Sequence, residues 1–140
     1  MSILNSYEQE KLNQMSHDIH SKLSGVLGVY LFGSIAKGVN HAASDIDMAV
    51  LSDHVLPTMD VWLLAQELAK DAGVDVDLID LRSANAVMRM QIIAQGRRLL
   101  CIDHDACERF EDFVYTDYSR LNEERATILT DIQSRGTVYG

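Results

Sequence analysis

Apolar residues recur along the chain with two periods that alternate, which predicts helices and strands in turn. Steps of three and four residues predict helices over residues 5–24, 57–72 and 83–95, and a long one over residues 105–134. Shorter, mostly apolar runs predict strands over residues 26–32, 45–51, 74–81 and 97–102. The first three helices each end at a glycine, which is common at helix C-termini: Gly25, Gly73 and Gly96.

This alternation of helices with strands predicts the fold class. We expect an α+β (α/β layered) fold in which a small mixed β-sheet of about four strands carries helices packed on it, with a long C-terminal helix. A short helical turn over residues 35–38 and a loop over residues 39–44 should join the first two strands. A length of 140 residues is typical of one domain, here residues 1–140.

Three sets of side chains allow more than one interpretation. Trp62 and the leucines around it are interpreted as core of the second helix. The apolar stripe of the last helix is interpreted as core too, although it is longer than one small sheet needs and docking of a helical partner is the alternative. Four arginines are interpreted as solvent-facing cations rather than phosphate ligands: Arg82, Arg89, Arg97 and Arg98.

Composition and charge narrow the possible partners and location. The net charge of −9 argues against direct nucleic-acid binding, because such proteins neutralise phosphates with basic side chains. No apolar run reaches the ~18 residues of a membrane span, and the start resembles no secretory signal. The two cysteines, Cys101 and Cys107, are too few for a disulfide framework and suit a reducing cytoplasm.

The clearest chemical signal lies between the first two predicted strands. Gly33-Ser34 ends the first strand, where glycine lets backbone N–H groups approach a phosphate and Ser34 adds a hydroxyl donor. Asp45 and Asp47 begin the second strand two residues apart, so both carboxylates point to one side and can bind Mg²⁺. Lys37, three residues after Ser34, can neutralise phosphate charge, and a solvent-facing position is the alternative. The pattern predicts chemistry on a metal-bound nucleoside triphosphate.

The third predicted strand adds a further carboxylate. Asp77 is favoured, because apolar neighbours flank it as they flank Asp47, and Asp75 on the same face is the alternative. Three acids on adjacent strands suit two-metal phosphoryl or nucleotidyl transfer. Asp45 and Asp47 would hold the metals, and Asp77 would hold one and take a proton from the attacking hydroxyl.

These motifs closely resemble those of the DNA-polymerase-β-like nucleotidyltransferase superfamily. Within it, the chain is similar to the minimal nucleotidyltransferases of the MntA antitoxin type, which are encoded with HEPN-domain toxins. The resemblance covers nearly the whole chain, and its main motifs are Phe32-Gly33-Ser34, Asp45-Ile46-Asp47 and Val76-Asp77-Leu78. It implies the nucleotidyltransferase fold, ATP and Mg²⁺, and a hetero-oligomeric complex in which AMP is transferred to a tyrosine of the HEPN ribonuclease toxin, which silences it.

Two alternatives to this protein adenylyltransferase remain open at the level of sequence. One is a nucleotidyltransferase that modifies a small hydroxylated molecule such as an aminoglycoside, although so short a chain leaves little protein for an acceptor pocket. The other is an antitoxin that occludes its toxin by binding alone. Clustered carboxylates argue against the second, because a binding module has no need of them.

Overall fold

Four helices and four strands follow one another in the described part of the chain. The computed structural model describes residues 6–33 and 45–134. Its elements are α1 (Ser6–Lys22), β1 (Val26–Phe32), β2 (Ile46–Ser52), α2 (Thr58–Ala72), β3 (Val76–Asp80), α3 (Ala86–Gln95), β4 (Arg97–Cys101) and α4 (His104–Ser134). Every helix and strand predicted in these ranges is confirmed, with its ends shifted by a few residues at most. The turn and loop predicted over 35–44 lie outside the described residues.

The strands form one mixed sheet in the order β3-β2-β1-β4. β1 is antiparallel to both β2 and β4, whereas β2 and β3 are parallel. Parallel neighbours need a long connection that returns the chain to the starting end, and α2 supplies it. β3 and β4 are therefore the edges of the sheet, and the predicted mixed sheet of four strands is confirmed.

Helices cover both faces of the sheet. On one face, α1 and α2 pack onto the strands in a buried cluster that includes Ile19, Leu68, Met48 and Val50. On the other, α3 and α4 pack in a second cluster that includes Ile92, Phe110, Tyr30, Ala49 and Leu51. Successive side chains of β2 thus point to opposite faces of the sheet. This alternation assigns the odd-numbered positions of β2, including Asp47, to the face of α3 and α4.

The interpretation of Trp62 as core is wrong. Trp62 is 56% exposed and the adjacent Leu63 is 49% exposed. α2 turns only one face to the sheet, and that face is filled by Val61, Leu64, Ala65 and Leu68. The tryptophan lies beside this stripe and faces outward.

The core interpretation of the C-terminal helix holds only for its first turns. The buried residues of α4 are Cys107, Phe110 and Val114, whereas Ile128 and Leu129 are 58% and 59% exposed. A helix of 31 residues spans about 46 Å, roughly two to three times the length of strands of five to seven residues. The distal half therefore has no sheet beneath it. Docking of a helical partner on this half stays a prediction.

No helix within the described ranges is both long and apolar enough to cross a membrane. The thiols of Cys101 and Cys107 are both free.

Candidate active site

Three carboxylates meet at one end of the sheet. Asp47, the second residue of β2, pairs in register with Phe32 of β1 and with Asp77 of β3. Because residues paired across neighbouring strands point to the same face, the side chains of Asp47 and Asp77 lie side by side. Asp45 directly precedes β2, two residues before Asp47, and is exposed. The backbone register thus brings the three predicted acids to one side of the sheet.

Gly33 follows the last residue of β1 and touches the central carboxylate. Its φ of 76° lies in the left-handed region, which glycine adopts without strain. A Cβ at this position would overlap the Oδ2 of Asp47 and come within 2.9 Å of its Cγ. Both the backbone conformation and the close approach require glycine here. Gly33 and Asp47, two of the predicted site residues, are therefore in direct contact.

The electrostatics of the site centre on Asp47. Partial burial raises its pKa above the usual range, and the charges of Asp77 and Asp45 raise it further. Each of these effects penalises the ionised form. A cation placed among the three carboxylates would remove that penalty, so the site favours binding of positive charge.

The donor set fits Mg²⁺ bound together with a nucleotide. Carboxylate oxygens are the ligands that Mg²⁺ prefers, and the ion commonly keeps water and phosphate oxygens in its remaining positions. Within the described residues, no group of three or more acidic, histidine or cysteine side chains forms a metal site. The fit of Asp45, Asp47 and Asp77 to Mg²⁺ rests on their oxygen chemistry, with phosphate oxygens as the further ligands.

We expect Asp47→Asn to raise the melting temperature of the metal-free protein at pH 7. Because the folded-state pKa of Asp47 is raised, protonation of this side chain stabilises the fold at low pH, and that stabilisation is lost as the pH rises through this pKa. Asparagine is uncharged at every pH, so the gain in melting temperature over wild type should appear at neutral pH and shrink toward pH 4. Thermal melts in EDTA from pH 4 to 8 measure this. Asp75→Asn is the control, and an advantage that does not change with pH would contradict the expectation.

The structure separates the two candidates for the third carboxylate. Asp77 is in register with Asp47, and its charge raises the pKa of Asp47. Asp75 lies before β3, is exposed, and contributes its backbone carbonyl to the amide of Ile46 at 2.9 Å. The geometry therefore favours Asp77, whose role as the third carboxylate stays a prediction. Ser34 and Lys37, the predicted phosphate contacts, lie outside the described residues.

The interpretation of the arginines as solvent-facing cations is wrong for those after β3 and in α3. Arg82 donates to the carbonyl of Ser52 at 2.8 Å. Arg89 donates to the carbonyls of Leu81 and Arg82 at 2.8 and 2.7 Å. Both guanidinium groups also lie over the ring of Phe110. Arg82 and Arg89 thus tie the end of β2 to the segment that follows β3, at the end of the sheet opposite the carboxylates.

The other two arginines are also held by intramolecular contacts. Arg98 pairs with Glu108 and Glu111 at 3.0 and 2.6 Å, and Glu111 also accepts from the hydroxyl of Tyr30 at 2.8 Å. Arg97 donates to Gln9 at 3.2 Å. This network fastens α4 and α1 to the sheet, since its members come from different elements.

Asp80 is a positioning residue that the sequence pattern did not single out. Its buried carboxylate accepts from the amide of Leu56 at 2.9 Å, the amide of Arg82 at 3.0 Å and the hydroxyl of Ser83 at 3.0 Å. α3 is capped by Asn85, whose side chain accepts from the amide of Met88. The bond from the amide of Arg82 to the side chain of Asp80, two residues earlier, is that of an Asx-turn, in which aspartate is favoured.

Comparison with known proteins places this geometry in a family. Residues 14–105 match the family described as Polymerase beta, Nucleotidyltransferase. The chain belongs to the polymerase β nucleotidyltransferase family. The predicted superfamily and the nucleotidyltransferase fold are thereby confirmed.

Similar proteins narrow the comparison within this nucleotidyltransferase family. The chain is 42% identical over 106 residues to the protein adenylyltransferase MntA of Shewanella oneidensis strain MR-1, and the match covers 76% of each sequence. A toxin-antitoxin crystal structure with AMP-PNP contains a chain that matches with a TM-score of 0.76 and 35% identity, over 89% of this chain and 98% of that one.

A second solved complex is also similar. It contains tri-AMPylated Shewanella oneidensis HEPN toxin with MNT antitoxin, and a chain of it matches with a TM-score of 0.70 and 34% identity. That match covers 89% of this chain and 95% of the other. The likeness therefore extends to the helices on both faces of the sheet and is not confined to the carboxylate motif.

Proposed function

We propose that this nucleotidyltransferase is an antitoxin that transfers AMP from ATP to a tyrosine of a cognate HEPN ribonuclease toxin and thereby neutralises it. The observation that carries the proposal is the row of Asp45, Asp47 and Asp77 against Gly33 in a chain 42% identical to a protein adenylyltransferase. The two related complexes, one with AMP-PNP and one with tri-AMPylated HEPN toxin, support the donor and the acceptor. The proposed location is the cytoplasm, where ATP is available.

Each residue of the site has a role in this proposal. Asp45 and Asp47 would hold Mg²⁺, and Asp77 would complete the ligand set. Bound Mg²⁺ supplies positive charge that offsets the charge of the triphosphate and of the leaving group. Gly33, with Ser34 and Lys37, would contact the phosphates. Because Asp47 and Asp77 stand on paired strands and Asp45 directly precedes one of them, the acids are held in place before substrate arrives, which favours catalysis by positioning.

The transfer is a substitution at the α-phosphorus of ATP. The tyrosine oxygen forms a bond to this phosphorus while the bond to the bridging oxygen of the β-phosphate breaks, and pyrophosphate leaves with that electron pair. The hydroxyl proton passes to a carboxylate, which we assign to Asp77. The products are the AMP ester of the tyrosine and pyrophosphate.

Labelled ATP tests the reaction directly. Purified chain, Mg²⁺ and its cognate toxin are incubated with ATP labelled at the α- or the γ-phosphate, and peptide mass spectrometry identifies the modified residue. We expect label on toxin tyrosine from α-labelled ATP alone. Label from γ-labelled ATP would indicate a kinase, and label on an aminoglycoside but not on toxin would support the small-molecule alternative. Either result would overturn the proposal.

A paired substitution on β3 tests the proton acceptor. We expect Asp77→Asn to lower kcat by about two to three orders of magnitude, which is the usual contribution of a general base. Asp75→Asn is the matched control, because it removes an exposed carboxylate two residues away. Steady-state kinetics with saturating toxin and ATP measures both. The reverse ranking of the two variants would assign the role to Asp75.

A further inference from the structure

A groove of about 520 Å³ follows the free edge of the sheet between α2 and β3. Val61, Trp62 and Ala65 line its helix side, and residues 76–80 line its strand side. Asp77 belongs both to this wall and to the row of carboxylates. The groove therefore leads directly to the candidate active site.

The strand wall of the groove offers unpaired backbone groups. The carbonyl of Asp75 accepts from Ile46 at 2.9 Å, and the amide of Leu81 donates to Val50 at 3.0 Å. Bonding residues alternate along a parallel strand, so the odd-numbered residues of β3 face β2. Val76 and Leu78 consequently direct their N–H and C=O groups away from β2, at an edge with no neighbouring strand among the described elements. An extended peptide can pair with such an edge.

The helix side of the groove carries an exposed apolar patch. Trp62 is 56% exposed, and Met59 and Leu63, which lie next to it on α2, are exposed to a similar degree. Tryptophan is among the side chains most enriched at the centres of protein interfaces. Clustered exposed apolar side chains mark interaction sites on soluble proteins.

The charge of the groove selects among possible occupants. Its described lining includes the carboxylates of Asp77 and Asp80 and no lysine, arginine or histidine. A triphosphate would be repelled along such a wall, whereas a basic polypeptide segment with apolar side chains would be complementary to it. The net charge of −9 disfavours a second copy of this chain in the same way.

We propose that the groove binds the tyrosine-bearing segment of the acceptor protein as an added strand on β3. Trp62 anchors the segment, the edge groups of Val76 and Leu78 set its register, and the tyrosine hydroxyl is thereby brought to Asp77. This inference rests on the proposed AMP transfer. It adds the surface that selects the acceptor.

Trp62 itself reports on the groove, because it is the single tryptophan of the chain. The chain is labelled with 5-fluorotryptophan, and its one ¹⁹F resonance is followed as unlabelled cognate toxin or ATP with Mg²⁺ is added. We expect a shift with toxin and none with ATP. A shift with ATP but not with toxin, a shift with neither, or one that tracks the concentration of the chain alone would overturn the proposal.

Kinetics of labelled-AMP transfer separates acceptor binding from chemistry. We expect Trp62→Ala to raise KM for toxin by about tenfold or more, as truncation of an interface anchor does, while kcat and the KM for ATP stay close to wild type. Gln66 is exposed and lines the groove, so Gln66→Lys should raise the toxin KM and Gln66→Glu should lower it. Ile102→Ala is the control, because Ile102 is 49% exposed but follows the opposite edge strand.

The outcomes distinguish this inference from the function on which it rests. If wild-type chain transfers no AMP to toxin, the proposed function fails. If it does transfer AMP, either of two results would overturn the groove proposal alone. One is an unchanged toxin KM in Trp62→Ala, and the other is the same toxin KM in the two Gln66 variants. A loss of folding in Trp62→Ala would show as a changed circular dichroism spectrum, and the Gln66 pair then decides.

Discussion

Asp45→Asn and Asp47→Asn are each expected to abolish AMP transfer, with kcat/KM lowered by about a thousandfold or more. This factor corresponds to ~4 kcal/mol of transition-state stabilisation, the scale of losing one preorganised charge in an active site. Asparagine keeps the size of the side chain but cannot neutralise Mg²⁺. Transfer of α-labelled AMP to cognate toxin at several Mg²⁺ concentrations is the measurement.

The same two variants separate catalysis from occlusion. Toxin binding by size-exclusion chromatography and rescue of growth in cells that express the toxin are measured beside transfer. If catalysis neutralises the toxin, the variants bind it and do not rescue growth. Rescue without transfer would establish the antitoxin as a binding module, and undiminished transfer would remove Asp45 or Asp47 from the mechanism.

Gly33→Ala is expected to be nearly as damaging as loss of a carboxylate. The new Cβ would overlap the Asp47 carboxylate, so either the side chain or the end of β1 must shift. A shift of about an ångström in a catalytic group can cost about a hundredfold in rate. We expect kcat to fall by that order and the Mg²⁺ requirement to rise, both measured in the transfer assay.

Gly73→Ala is the matched control for this substitution. Gly73 has a φ of 75°, almost the same as that of Gly33, but a Cβ there meets nothing within 4 Å. Both variants should lose roughly 1 kcal/mol of folding free energy from the left-handed backbone. Only Gly33→Ala should also lose activity. Equal activity in the two variants would show that contact with Asp47 is not what requires glycine at position 33.

The arrangement of the site explains why so small a chain can support this chemistry. Asp47 and Asp77 stand on adjacent strands in a fixed register, and Asp45 is tied to the start of the central one. Asp80 fastens the ends of these strands through three hydrogen bonds. The carboxylates are therefore held by backbone pairing and need no additional domain.

Local patterns in the chain were enough to predict its elements and its family. The periodic apolar positions predicted every described helix and strand, because periodicity follows directly from which face is buried. Strand alternation alone fixed Asp45 and Asp47 to one side. The apolar flanks of Asp77 favoured it over Asp75, since flanking of that kind marks a strand interior.

Tertiary structure decided the features that depend on which elements become neighbours. The outward position of Trp62 follows from α2 turning one face to β3, and the uncovered half of α4 follows from strands too short to lie beneath it. The contact of Gly33 with Asp47 exists because β1 and β2 pair in one particular register. Sequence periodicity reports burial within an element, whereas register and packing partners arise only when the whole chain folds.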